Sequence, residues 1–303
     1  MTLLSSSFKS GPVRHGVMDK PELYGRYSGP IEAAAARALD EVWPLLRWSR
    51  PALPVLDIGC GPGDVAAKVL APWLPRGTKI VACDISAEML RYAQANNSLP
   101  GVVAYERLDV TDALQLEQSG VWRRGPYSKA FAFMLLQWLP DNRLALGNIY
   151  KLLAPGGEAL FTIITKICLY EAYEKMSQDP RWEPYMKDWP NFVSPYCPSE
   201  DAAKDFQELL QSEGFEVLHC SVRPEALAFA SEEQIKVVLK SVNPFVNRLP
   251  EDQRAEFLEE VFQRFCRMNG MTKDVDPMTR ETKYNFNYMS MTALARKAAK
   301  LGL

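Results

Sequence analysis

The segment Val55-Leu56-Asp57-Ile58-Gly59-Cys60-Gly61-Pro62-Gly63-Asp64 constrains this chain more than any other. An apolar run ends, the backbone turns through closely spaced glycines, and an amphipathic stretch begins. Glycine is required where φ turns positive or where a ligand approaches the backbone closely. The segment therefore reads as strand, ligand-binding turn and helix. The same alternation continues downstream, which is the pattern of βαβ units. It predicts strands over 53–58, 79–83, 102–108, 130–136 and 159–164. Helices are expected over 64–74, 86–95 (with Ser86 as N-cap and Met89 and Leu90 inward) and 143–153, the last closed by the turn Ala154-Pro155-Gly156-Gly157.

Beyond residue 166 the pattern loosens. A stretch rich in aromatics and proline runs to about 198, followed by a helix over 202–212 ending at Gly214 and a strand over 215–222. A helical stretch over 231–268 then precedes a last strand over 284–293. Five strands with crossover helices and two late strands make a doubly wound α/β fold, its sheet mostly parallel with an antiparallel edge. The expected organisation is a flexible leader over 1–20 and a single domain over 21–303. Lid insertions fall at about 166–200 and 231–282.

With 35 basic and 37 acidic side chains, the formal charge of −2 offers no field for nucleic acid. No apolar run is long enough to span a membrane. The leader carries Lys9, Arg14 and His15 but lacks the apolar core of a secretory signal. Six cysteines without a C-x-x-C pair exclude zinc-ligand spacing and a dense disulfide scaffold, so no metal is expected and a reducing cytoplasm suits the chain.

A dinucleotide fingerprint of the form G-x-G-x-x-G closes on a third glycine; here that position is Asp64, and Pro62 removes an amide donor. An added carboxylate at a helix N-terminus repels a pyrophosphate and favours a cation. S-adenosylmethionine, with its sulfonium and ammonium, meets that condition. Asp57 is placed to meet the ammonium, beside Gly59, Cys60 and Gly61. Asp84, after the second strand, suits the ribose hydroxyls. Asp109, after the third, suits the adenine amino group, although it reads equally as a turn former. Ile85 and Val110 would enclose the purine.

Ligands of open α/β sheets lie beyond the carboxyl ends of the strands. The fourth strand thus delivers Phe133, Met134, Leu135, Gln137 and Trp138 to the reacting centre. The amide and indole N–H groups of Gln137 and Trp138 can hold a carboxylate without protonating it, though Trp138 also reads as a packed aromatic. A carboxylic acid is already ionised at neutral pH and needs no general base. That fits a chain whose two histidines, His15 and His219, lie in the leader and in a late strand. Tyr24, Tyr170, Trp182, Tyr196 and Phe245 are the aromatic candidates for an apolar acceptor pocket, or for packing the insertions onto the sheet.

From Pro21 to Lys297 the chain resembles the class I S-adenosylmethionine-dependent methyltransferases. Several segments are similar to the arthropod juvenile hormone acid and farnesoic acid O-methyltransferases: 57–64, Gln137-Trp138, 148–153, 242–245 and Asn285-Phe286-Asn287-Tyr288. To these is added Trp182-x-x-Tyr185-Met186-x-Asp188-x-x-x-Phe192-x-Ser194-Pro195-Tyr196. The resemblance implies a seven-stranded Rossmann-like sheet, S-adenosylmethionine as cofactor and a small sesquiterpenoid acid as acceptor. The chain departs from that family shortly after Leu23-Tyr24, where the family carries a glutamine and the nearest candidates here are Ile31 and Glu32, and at Gln137, where the family has a histidine. Gln137-Trp138-Leu139-Pro140-Asp141 is also similar to bacterial trans-aconitate methyltransferases, whose polyacid substrates call for arginines in the pocket.

Overall fold

The computed structural model describes residues 21–26, 28–48, 53–278 and 280–299; the leader over 1–20 lies outside them. Eight strands form one sheet. In chain order they are β1 (Val55–Ile58), β2 (Ile80–Asp84), β3 (Val103–Arg107), β4 (Tyr127–Phe133), β5 (Leu153–Lys166), β6 (Phe215–Phe229), β7 (Met271–Val275) and β8 (Thr282–Lys297). The path runs β3-β2-β1-β4-β5-β8-β6, with β7 attached to β8 alone. The first five strands are parallel, whereas β8 pairs antiparallel with β5, β6 and β7. Seven strands thus lie on the path, as expected, and β7 is an addition. Its residues are mostly exposed, so no buried alternation marks it in the sequence.

Parallel strands buried on both faces need helices on each side. β4 shows why: Ala130 and Ala132 pack into one core layer, Phe131 and Phe133 into the other. The first layer is covered by the helices Asn142–Leu152 and Ala202–Ser212, through Leu146, Ile149, Phe206 and Leu210. The second is covered by helix α2 (Gly29–Val42), which follows the short helix α1 (Pro21–Arg26), through Ala35, Leu39 and Val42, and by Val69 and Leu70 of the helix after β1. N-caps open the helices that follow β2 and β4, the first at the residue the sequence suggests. Ser86 accepts from the Met89 N–H at 3.2 Å, and Asp141 from the Arg143 N–H at 2.9 Å.

Two boundaries move for physical reasons. β4 begins three residues before the expected strand and ends at Phe133, because Met134 turns out of the ladder with a φ of 50° into the tight helical turn Leu136–Trp138. The Ala154-Pro155-Gly156-Gly157 segment does not separate helix from strand. It lies inside β5 as an irregularity where the pairing shifts between Tyr127 and Lys129.

The two insertions form one cap. Helix Cys168–Ser177, helix Arg254–Arg267 and the distal ends of β6 and β8 share a core that includes Trp182, Phe245, Phe257, Phe265 and Tyr288. Among the described residues, no helix is long and apolar enough to cross a membrane.

At the far end of the sheet, adjacent strands β4, β5 and β8 set Lys129, Glu158 and Arg296 in one cross-strand row. Glu158 is fully buried, with Lys129 Nζ at 3.2 Å and Arg296 Nη2 at 2.8 Å from its oxygens. The Arg47 amide donates a further bond to it at 3.0 Å. Burial holds the Lys129 ammonium below its ordinary value in spite of Glu158. Replacing Glu158 by Leu would strand two buried cations. The expected cost is about 3–5 kcal/mol in urea unfolding, and the triple change Lys129→Met, Glu158→Leu, Arg296→Met should recover most of it. A single-variant cost below about 1 kcal/mol would mean that water reaches the row.

Candidate cofactor and acceptor site

The cleft opens at the carboxyl ends of β1, β2 and β4. Its floor is the turn after β1. Gly59 has a φ of 71°, and a Cβ there would come within 2.8 Å of Leu135 Cδ1, so only glycine lets β1 leave beside the β4 loop. Gly61 has a φ of 53°, and its N–H donates to Asp84 Oδ2 at 2.9 Å. Asp84 Oδ1 accepts from the Ser86 N–H at 2.8 Å, so one carboxylate ties the turn to the end of β2. The helix that follows opens at Asp64 and widens to π geometry over Ala66–Leu70, a local feature common at functional sites.

Asp57, Asp64 and Asp84 line this floor together with Cys60. Asp57 is 2% exposed, and its Oδ2 has no hydrogen-bond partner among the described residues. Asp64 Oδ1 is held by Lys68 Nζ at 2.6 Å, which also reaches Glu32 on α2 at 3.1 Å, while Asp64 Oδ2 is buried without a partner. Burial, and after it the Asp84 carboxylate, pushes the Asp57 carboxyl up to about 7. Burial also raises Asp84, although amides of Ser86, Gly61 and Ile85 pull it back. Buried carboxylate oxygens without donors are costly. Their arrangement suits a ligand that brings positive charge and N–H or O–H donors.

Ile85, Ser86 and Met89 form one wall, and Phe133, Met134 and Leu135 another. The other end of the cleft is closed by Trp138 and Leu139 from the β4 loop and by Tyr24, Ser28 and Ile31 from the N-terminal helices Pro21–Arg26 and α2. Phe192 comes from the cap. Trp138 keeps its indole N–H free of protein acceptors among the described residues, while its backbone N–H closes on Leu135 O at 2.9 Å. Burial, and after it Asp84 and Asp64, raises the Tyr24 hydroxyl to about 12, so it remains a donor.

The structure therefore brings Tyr24, Asp57, Gly59, Cys60, Gly61, Asp84, Ile85, Phe133, Met134 and Trp138 to one cleft. Other candidates lie elsewhere. Gln137 is buried, and its amide donates to Met134 O at 2.7 Å. Asp109 turns into its own loop, accepting from the N–H and hydroxyl of Thr111 at 2.8 and 2.7 Å. Val110 packs in the core below, its carbonyl accepting from Asn148. Trp182 lies inside the cap, with its indole N–H on Glu260 at 2.9 Å, and Tyr196 bonds Asn142 while packing edge-on to Phe206. Phe245 sits between Tyr173 and Phe192 in the cap core. Tyr170 lines a separate groove with Lys166, Cys197 and Tyr288. His219 pairs with Glu41 at 2.9 Å on β6. Sequence reasoning did not single out Ser28, Asp64 Oδ2, Met89 or Leu139 as lining groups. Asp64 alone carried a signal, as the acid in a glycine position.

The family model for the methyltransferase domain matches residues 31–220, and the chain belongs to that family. It is 29% identical to the juvenile hormone acid O-methyltransferase of Drosophila melanogaster, the match covering 92% of this chain and 93% of that protein. It is 25% identical to the Bombyx mori protein of the same name, over 92% and 98% of the respective chains. A solved S-adenosylmethionine-dependent methyltransferase from Anabaena variabilis shares the fold, with a TM-score of 0.53 and 15% identity over 91% of this chain and 93% of its own.

Between its ordinary value near 4 and its raised value, Asp57 keeps a proton in the folded chain that the unfolded chain has released. The stability contributed by this group is therefore greatest below about pH 4 and is lost as pH rises towards 7. Asp57→Asn removes that loss. Relative to the variant, the ligand-free wild type should lose on the order of 3 kcal/mol between pH 4 and 8. Thermal unfolding of both proteins at several pH values reads the difference, and a flat one would mean that Asp57 is ionised throughout.

Proposed function

We propose that this chain is an S-adenosylmethionine-dependent carboxyl O-methyltransferase acting on a small apolar acid of the sesquiterpenoid type. The observation that carries the proposal is the contrast along the cleft. Three carboxylates stand at the glycine turn, whereas the acceptor end is aromatic and aliphatic, and among the described residues that line the cleft none is Lys, Arg or His. The acidic floor supports a cationic cofactor. The apolar end supports a lipophilic monoacid over a polyacid, which would need cationic partners.

S-adenosylmethionine, when bound, supplies an electrophilic methyl group on a positively charged sulfur. Asp57 and Asp64 would take its ammonium through their unpartnered oxygens, and Asp84 would accept from the ribose hydroxyls. Ile85 and Met89 would flank the purine. Trp138 would orient the acceptor carboxylate through its indole N–H, with Tyr24 as a second donor. Ile31, Met134, Leu139 and Phe192 would exclude water, favouring a step in which an anion and a cation become neutral. No base is required, because the acceptor arrives ionised. Positioning supplies the rest, a contribution of about 7–11 kcal/mol at near-attack geometry. The similarity to the two insect acid methyltransferases supports the same acceptor class.

Methyl transfer from labelled S-adenosylmethionine to farnesoic acid, juvenile hormone acid, a saturated fatty acid and trans-aconitate tests this reading. Turnover should be confined to the apolar acids. Asp84→Ala should weaken cofactor binding by roughly tenfold or more, as expected for two lost hydroxyl bonds. Turnover of trans-aconitate alone would refute the acceptor assignment, and absence of cofactor binding would refute the whole.

A further inference from the structure

The amide of Gln137 is already spent, and what it is spent on is informative. Met134 closes β4 with a φ of 50°, a left-handed conformation that residues with side chains rarely adopt. Such strain persists only where the surroundings over-determine it, and it gathers at functional sites. Here the backbone of Met134 is gripped from both sides. Its N–H donates to Thr162 O at 2.9 Å and to Thr162 Oγ1 at 3.0 Å. Its carbonyl accepts from Gln137 Nε2 at 2.7 Å.

Gln137 and Thr162 are each 4% exposed, so water offers little competition for either grip. The other end of the Gln137 amide, Oε1, is buried with no hydrogen-bond partner among the described residues. The reverse amide orientation would set two acceptors against each other. The chain thus leaves an acceptor unsatisfied to keep this one donor on Met134. What the grip holds in place is part of the cleft wall. The Met134 side chain lines the cleft, and Leu135, next in sequence, packs against the Gly59 turn so closely that a Cβ on Gly59 would clash with it.

We infer that Gln137 and Thr162 are positioning residues: they clamp Met134 in its left-handed conformation so that the β4 wall meets the glycine turn at the geometry methyl transfer needs. The inference rests on the methyl-transfer reading above for its kinetic consequence, but the clamp itself does not. Neither residue touches the ligands in this scheme. Both act through Met134.

The test is a double-mutant cycle in the full chain with Gln137→Leu, Thr162→Val and Met134→Gly. Glycine holds a positive φ without strain and makes the clamp dispensable. With farnesoic acid as acceptor, Gln137→Leu should lower kcat by about tenfold, the scale of a small misplacement. The KM for the acid and the Kd for S-adenosylhomocysteine should stay within about twofold. In the Met134→Gly background the same change should cost less than about twofold in kcat, and its effect on Tm should shrink in parallel. Thr162→Val, which keeps the backbone bond, should follow the same pattern more weakly and carries the test if Gln137→Leu does not fold. An equal loss in both backgrounds, or a loss confined to Kd, overturns the clamp. A wild type inactive on the apolar acids fails the reading above instead, and the coupling in Tm then decides the clamp alone.

Discussion

The hydrogen bond from the Gly61 amide to Asp84 Oδ2 is the joint on which the cleft depends. Parallel strands buried on both faces leave the chain little freedom where they end, and β1 must turn at once into its helix. The turn is possible because glycines accept the backbone angles, and it is fixed because a carboxylate from the neighbouring strand takes its amide. The same carboxylate also takes the amide of Ser86, which caps the helix after β2. One side chain thereby sets the relative height of two strand ends and two helix starts, and the ligand-facing surface follows from that setting.

The sheet treats buried charge in opposite ways at its two ends. Below, Glu158 sits between Lys129 and Arg296 with its oxygens satisfied, and the row ties three strands together. Above, Asp57, Asp64 and Asp84 line the cleft, Lys68 pairs with Asp64, and one oxygen each of Asp57 and Asp64 has no donor among the described residues. The lower cluster is complete within the chain. The upper one keeps buried carboxylate oxygens without a donor among the described residues, an arrangement that suits the cationic cofactor proposed above.

What the sequence made legible was local or periodic. The glycine turn, the cap at Ser86 and the acids at the ends of β1 and β2 depend on near neighbours, and each appears where the residues suggest. Asp109 and Gln137 were ambiguous because strand-end polar residues can face a ligand or their own backbone, and a short-range donor or acceptor decided both. Thr111 follows Asp109 closely enough to capture it, and the carbonyl of Met134 captures Gln137. The aromatics of the insertion were harder still. Trp182, Tyr196 and Phe245 form cores with residues far away in sequence, and only Phe192 of that set reaches the cleft. Composition shows that an apolar cap exists; which ring faces the cavity is settled by packing across the two insertions.

The long ribbon of β6 and β8 carries a mechanical consequence. Its pairing runs from Phe215 opposite Lys297 to Phe229 opposite Tyr284, so the strands that finish the sheet also build the cap. The ladder bends at one bulge near Val217 and is otherwise continuous, leaving no hinge at which the cap can swing away from the sheet. The other side of the opening is built differently: Tyr24, Ser28 and Ile31 come from the N-terminal helices, which are tied to the glycine turn by Lys68, joining Glu32 to Asp64. The cap is thus continuous with the sheet through its backbone, whereas the N-terminal helices meet the cleft through side chains.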